Sequence, residues 1–224
     1  MKPVCACILA AGMSTRMGKS KQLLDWNGSY LLEHVVHRVL LYDFSHVFAI
    51  IGHDAERIQD LIRIRDPRFQ WVRNESYLSG QSTSVRLGLD RAVDQQAAVM
   101  VFPGDLPLWK EETVKTILHS GKDLLETVPS PFVVQPVFRE KPGHPVFFGN
   151  VQKGLYDRLD GDQGMKPIIR TMNHQIRIAV EDEGIVLDID TPQIYEDLKK
   201  NGFSHADGGE GSEPFTDTIR VRRR

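Results

Sequence analysis

Short apolar runs of strand length recur along the chain, at residues 4–10, 47–52, 69–72, 97–103, 132–138 and 145–148. Between the early runs lie stretches of helical periodicity, at 30–41, 55–64, 82–92 and 111–120. In the first of these, Leu31, Leu32, Val35, Val36, Val39 and Leu40 follow the i, i+3, i+4, i+7 spacing of one helix face. Strands alternating with helices predict a largely parallel sheet covered on both faces. Runs as uniformly apolar as AVMVF (98–102) fit strands buried on both sides.

The second half changes character. PFVVQPVFREKPGHPVFFGN (131–150) reads as two strands joined by a polar loop, which predicts an antiparallel element in the sheet. Helix-like segments at 151–159 and 165–172 follow, then expected strands at 175–180 and 185–188. A last helix is expected after D-T-P, where Asp190 or Thr191 can cap and Pro192 suits the first turn. From Asn201 the pattern stops, and the stretch through HADGGEGSEPFTDTIRVRRR is Gly-rich and acidic, then basic. The expectation is a domain over 1–200 and a flexible tail over 201–224, because so few apolar residues cannot order a segment by themselves. Arg222, Arg223 and Arg224 read as a solvated end or a weak partner patch.

Composition narrows the function classes. A chain of 224 residues with 41% hydrophobic and 26% charged residues is of ordinary globular make-up. Its formal charge of −2 provides no basic field for nucleic acid, so phosphate recognition has to be local. No apolar run approaches the roughly 20 residues of a membrane helix, and Met1-Lys2-Pro3 makes a poor signal peptide. Cys5 and Cys7 would share one face of a strand and cannot form a C-x-x-C turn, so they read as core thiols. The expected compartment is a reducing cytoplasm.

The candidate chemistry begins at LAAGMSTRMGKSK (9–21). Gly18-Lys19-Ser20 ends like a P-loop, yet Gly12 and Gly18 have five residues between them, one more than G-x-x-x-x-G-K-[ST] allows. A G-x-G-x-x-G dinucleotide fingerprint is also missing. The loop nevertheless leaves the carboxyl end of a buried strand, where ligands bind in open parallel sheets. Small residues at Ala10, Ala11, Gly12 and Ser14 let a ligand approach the backbone, and Arg16, Lys19 and Lys21 add positive charge. Read alone, the segment serves equally as a phosphate loop or as a strand-to-helix turn with solvated cations.

Further segments join it in order: GQSTSVRLGL (80–89), FPGDLPL (102–108), PGHPVFF (142–148) and LDIDTP (187–192). With LAAGMSTRMGKSKQLL, this set resembles the MobA-like nucleotidyltransferases, in which a strand leads into L-A-[AG]-G-x-S-x-R-M-G and then a lysine. The resemblance covers roughly residues 4 to 200. It is closest to the molybdenum cofactor cytidylyltransferases and the related purine-catabolism accessory proteins. It implies a nucleotide-diphospho-sugar transferase fold, a three-layer α/β/α sandwich.

The resemblance also implies the site. Arg16, Lys21 and Asp105 would be catalytic, with Asp105 the principal ligand of Mg²⁺, a hard cation suited to carboxylate and phosphate oxygens. Asp190 is preferred over Asp188 as a second metal ligand, although Asp190 equally suits an N-cap. Leu9, Ala10, Ala11, Gly12, Ser14, Gly18, Gly80, Ser82, Thr83 and Ser84 would line the nucleotide, and His144 the acceptor side or a turn. Ala10-Ala11-Gly12, where guanylyl-transferring relatives carry A-G-G, points to CTP. The implied reaction joins CTP to the terminal phosphate of molybdopterin carrying molybdenum and releases pyrophosphate. The implied recipient is a molybdoenzyme of the xanthine dehydrogenase type. A sugar- or alcohol-phosphate acceptor is the alternative on the same scaffold. A cofactor carrier or insertion chaperone is the alternative of another class, disfavoured by the intact Arg16, Lys21 and Asp105.

Overall fold

A computed structural model describes residues 2–200; the expected tail lies outside the described residues. In chain order the elements are β1 (Val4–Ala10), β2 (Asp25–Trp26), β3 (Ser29–Tyr30), α1 (Leu31–Leu40), β4 (His46–Ile51), α2 (Ala55–Leu61), β5 (Phe69–Arg73) and α3 (Gln81–Asp94). They continue with β6 (Ala98–Pro103), α4 (Glu111–Thr127), β7 (Phe132–Phe138), β8 (Lys141–Pro142), β9 (Val146–Gly149), α5 (Lys166–Thr171), β10 (His174–Ala179) and α6 (Pro192–Lys200).

The main sheet runs β10-β7-β9-β6-β1-β4-β5, with β8 paired to β7. β1 is parallel to both β4 and β6, β4 to β5, and β7 to β10. β9 is antiparallel to both of its neighbours, and β8 is antiparallel to β7. This is the nucleotide-diphospho-sugar transferase-like arrangement, a mostly parallel sheet with antiparallel strands. The reversal of β9 has a local effect. Val146, near its start, lies opposite Val101, near the end of β6, so the chain entering β9 arrives at the carboxyl edge of the parallel strands.

Alternation of side chains along β1 divides the core. Val4, Ala6, Ile8 and Ala10 join α1, α2 and α4 on one face. Cys5 and Cys7 join α3 and α5 on the other, and both are free, buried thiols as their spacing predicts. On that second face α3 approaches β1 at Gly88, where a Cβ would stand 2.2 Å from Cys7 Sγ. Among the described residues no helix is long and apolar enough to cross a membrane.

Two expected elements do not form. Residues 151–159 make only a single 3₁₀ turn at Lys153–Leu155. Arg86 on α3 donates to the carbonyls of Asp157 and Leu159, and Ser82 Oγ donates to the Asp160 carbonyl at 3.0 Å. These tertiary bonds replace the ones a helix would make for itself. Residues 185–188 are not a strand: a 3₁₀ turn covers Glu183–Val186. Gly184 lies flat against the Leu108 carbonyl, 2.0 Å from where a Cβ would be, and the Ile185 carbonyl accepts from His144 N at 2.9 Å. That apolar segment crosses between loops instead of extending the sheet.

Candidate active site

After Ala10 the chain turns through a loop whose inner side is organised by Gln22. This side chain, 5% exposed, donates from Nε2 to the carbonyls of Ala10 (2.7 Å) and Gly12 (3.2 Å). Its Oε1 accepts from Ser20 Oγ at 2.9 Å and Ser14 Oγ at 3.4 Å. Ser14 takes a left-handed backbone conformation with φ 55°, and its Oγ accepts from Lys21 N at 3.0 Å. The loop is seated on an apolar cluster of Met17, Leu24, Trp26, Leu31, Leu108, Ile189 and Tyr195.

Facing it are two acidic loops. Asp105 follows β6, and Gly104 N donates to the Leu9 carbonyl at 2.8 Å, which fastens the end of β6 to the end of β1. A Cβ on Gly104 would stand 2.9 Å from that of Ala10, so the approach requires glycine. Arg38 of α1 donates to the carbonyls of Pro107 and Trp109 beyond it. The second loop, carrying Asp188 and Asp190, is held by Ile189 N donating to the Asp105 carbonyl at 3.0 Å. At its root the buried Asp182 accepts from Lys110 N (2.7 Å), Thr113 Oγ1 (2.7 Å) and Gly184 N (3.0 Å). One carboxylate thus ties the start of α4 to the acidic loop.

The charges meet at Lys21. Its Nζ lies 2.5 Å from Asp105 Oδ2 and 2.7 Å from Asp190 Oδ1, and Arg16 donates to Asp190 Oδ2 at 2.6 Å. Burial opposes the Lys21 charge, but Asp105 and Asp190 outweigh it and raise the ammonium above its ordinary pKa. Burial likewise works against the Asp190 carboxylate, and hydrogen bonding and charge from Lys21 turn the balance, holding it below the ordinary range. Asp188 is pushed up to about 6 by enclosure and by the charges of Asp190 and Asp105.

These groups open into a cleft of about 720 Å³. Of the residues expected from sequence, Leu9, Ala10, Ala11, Gly12, Ser14, Arg16 and Lys21 line one side of it. Gly80, Ser84, Asp105, His144 and Asp190 line the rest. Three others are elsewhere. Gly18, with φ 67°, faces a shallow groove shared with Lys19, His53 and Arg57. Ser82 is fully buried with its hydroxyl on Asp160, and Thr83 Oγ1 donates to the Gly80 carbonyl at 2.8 Å. His144 reaches the cleft through the reversal of β9. Burial, opposed in part by Asp105, lowers its pKa to about 4, so the imidazole is neutral. Its buried Nδ1 has no hydrogen-bond partner among the described residues.

The sequence reading missed Gln22, Gln81, Lys141 and Asp162, all of which line the cleft. For Gln22 a signal existed: a polar residue set immediately before the apolar pair Leu23-Leu24. Gln81 and Asp162 meet through a hydrogen bond from Gln81 N to Asp162 Oδ1 at 3.1 Å, a contact that local spacing does not encode.

The acidic residues suit a divalent ion of the Mg²⁺ type. Asp105 and Asp190 offer hard carboxylate oxygens around one point, already bridged by the cationic Lys21 Nζ. Among the described residues no three His, Cys, Asp or Glu side chains form a metal cage. Mg²⁺ commonly uses one or two carboxylates and completes its shell with phosphate and water.

Comparison with known proteins identifies the family. The chain is 29% identical over 147 residues to the bifunctional protein GlmU of Staphylococcus carnosus, covering 62% of this chain and 32% of that one. It spans about a third of the length of such curated relatives. Rv0371c of Mycobacterium tuberculosis H37Rv superposes with a TM-score of 0.74 at 23% identity, over 89% of this chain and 98% of that one. Rv0371c is also known in complex with manganese, with a TM-score of 0.71 at 22% identity over 89% of this chain and 100% of that one. Molybdopterin-guanine dinucleotide biosynthesis protein A of Archaeoglobus fulgidus has a TM-score of 0.65 at 16% identity, over 88% of this chain and 97% of that one. The model of the MobA-like NTP transferase domain matches residues 6–177. The chain therefore belongs to the MobA-like NTP transferase family.

Proposed function

We propose that this nucleotidyltransferase transfers the cytidylyl group of CTP to the terminal phosphate of molybdenum-bearing molybdopterin. The observation that carries the reading is the meeting of Arg16 and Lys21 with Asp105 and Asp190 in a cleft walled by the loop after β1. In the reaction an acceptor phosphate oxygen attacks the α-phosphorus of CTP, the bond to the β-phosphate oxygen breaks, and pyrophosphate leaves. The nucleophile is already anionic near neutral pH, so alignment and charge neutralisation suffice without a strong general base. Loop amides and Arg16 hold the β- and γ-phosphates, and Lys21 neutralises charge at the α-phosphate. Asp105 and Asp190 would hold Mg²⁺, which supplies further neutralisation along the phosphate chain. The complex of Rv0371c with manganese supports a divalent ion in this role.

Preference for CTP is supported by Ala11, which is 4% exposed and lines the cleft where a glycine would leave more room. The acceptor rests on the resemblance carried by PGHPVFF and LDIDTP, with His144 on the acceptor side. The test is pyrophosphate release with each nucleoside triphosphate, with and without molybdenum cofactor. Release with CTP that depends on the cofactor is the expected result. Equal release with GTP overturns the base assignment, and turnover only with a sugar- or alcohol-phosphate overturns the acceptor.

A further inference from the structure

We propose, on the reading of the cleft as a nucleotide site, that Gln22 is the positioning residue that turns the loop amides toward the triphosphate. Its buried amide group is the shared partner of two peptide carbonyls that flank Ala11, those of Ala10 and Gly12. The carbonyl between them, Ala11 O, is drawn elsewhere and accepts from His53 N at 3.2 Å. Three successive carbonyls are therefore engaged by donors of the protein itself and are not free to turn toward a ligand.

In a trans peptide the N–H is antiparallel to the C=O of the same plane. Fixing Ala10 O and Gly12 O on Gln22 directs the amides of Ala11 and Met13 the opposite way, and both residues line the cleft. Successive backbone amides arranged in this manner form an anion-binding concavity. The other end of the carboxamide, Oε1, accepts from the hydroxyls of Ser14 and Ser20, which fixes which end is the donor and joins the two limbs of the loop. Without Nε2 the peptides at Ala10 and Gly12 lose the partner that prevents their rotation, and a carbonyl turned into the cleft would repel phosphate. Gln22 touches no reacting atom in this scheme; it acts through the backbone.

The test uses the full chain with Gln22→Met, which keeps length without hydrogen bonds, and Gln22→Glu, which keeps the acceptor and removes the donor. Calorimetric binding of inorganic pyrophosphate with Mg²⁺, and of CTP, should weaken about tenfold or more in both. KM for CTP should rise by more than kcat falls. A residue that merely stabilises the loop would lower the melting temperature and leave pyrophosphate affinity in the folded protein unchanged, and that result overturns the proposal. Should both variants fail to fold, amide ¹H–¹⁵N shifts of the wild-type chain decide. Pyrophosphate must move Ala11 and Met13, and binding that leaves both unmoved overturns the assignment. A wild-type chain that binds neither pyrophosphate nor CTP overturns the nucleotide reading itself, a result distinct from intact binding with an indifferent Gln22.

Discussion

Lys21 and Asp105 stand 84 positions apart in sequence and meet at 2.5 Å. The contact joins the loop after β1 to the loop after β6, two strands that are neighbours in the sheet. The ammonium of Lys21 and the carboxylate of Asp105 thus belong to one balance, and altering either partner changes the field felt by the other.

Asp105→Asn keeps the size of the side chain and removes its charge. Turnover is expected to fall by about 100-fold or more, as for other losses of preorganised electrostatic groups. A titration of rate against Mg²⁺ checks this. Near-normal turnover at saturating Mg²⁺ would remove Asp105 from the metal site.

Lys21→Met leaves Asp105 and Asp190 close together without the ammonium between them. Both ion pairs are mostly enclosed, with Lys21 15% exposed, so the loss is expected to cost about 1–3 kcal/mol of stability. Because the folded-state pKa of Lys21 is raised, its stabilisation is complete below its ordinary value of 10.5 and fades as pH rises through the folded value. Chemical denaturation at neutral pH and at pH 11 should show a wild-type advantage that narrows in alkali. An equal difference at both would contradict the pairing.

His144 predicts the opposite limb. Its folded pKa of about 4 lies below the ordinary 6.5, so between these values the unfolded chain binds a proton that the folded chain refuses. The neutral imidazole therefore leaves stability intact above about pH 6.5 and erodes it as pH falls toward 4. Replacement by the non-titrating glutamine should flatten the stability profile across that window. A profile of unchanged slope would show that His144 titrates normally.

Gly88→Ala should destabilise the protein although alanine favours a helix interior by about 1 kcal/mol. The new methyl would meet Cys7 Sγ in a close-packed layer. Combining Gly88→Ala with Cys7→Ala removes the sulfur and should recover much of the loss. Additive effects in the four-protein cycle would mean that α3 and β1 do not press together there.

The parallel strands and the helices between them were legible because their burial repeats with the period of each element: of the α1 face, Leu32, Val35, Val36, Val39 and Leu40 pack on the sheet, while Leu31 joins the cluster beneath the loop. The glycine-containing loop, by its own residues, was legible only as either a phosphate loop or a strand-to-helix turn, and the resemblance carried by the later segments favoured the first. The tight turns Thr15–Met17 and Lys21–Leu23 were not, since their conformation depends on Gln22 reaching back across the loop. Ser82 and Ser84 look equivalent in QSTS, yet the helix turns Ser82 toward Asp160 and Ser84 toward the cleft and Asn74. Similarly, nothing near Ile185 announces that Gly184 will lie against the Leu108 carbonyl.

Asp182 limits how this scaffold can be rebuilt. The acidic loop and the segment from Asp105 into α4 share that single buried carboxylate, through Gly184 on one side and Lys110 and Thr113 on the other. A loop transplanted from another nucleotidyltransferase to alter the acceptor would arrive without its mooring unless Asp182, Gly184 and Thr113 were carried or preserved with it. The unit of exchange in this protein is therefore the pair of loops with the first turn of α4, and libraries that randomise 183–190 alone would mostly sample misplaced carboxylates.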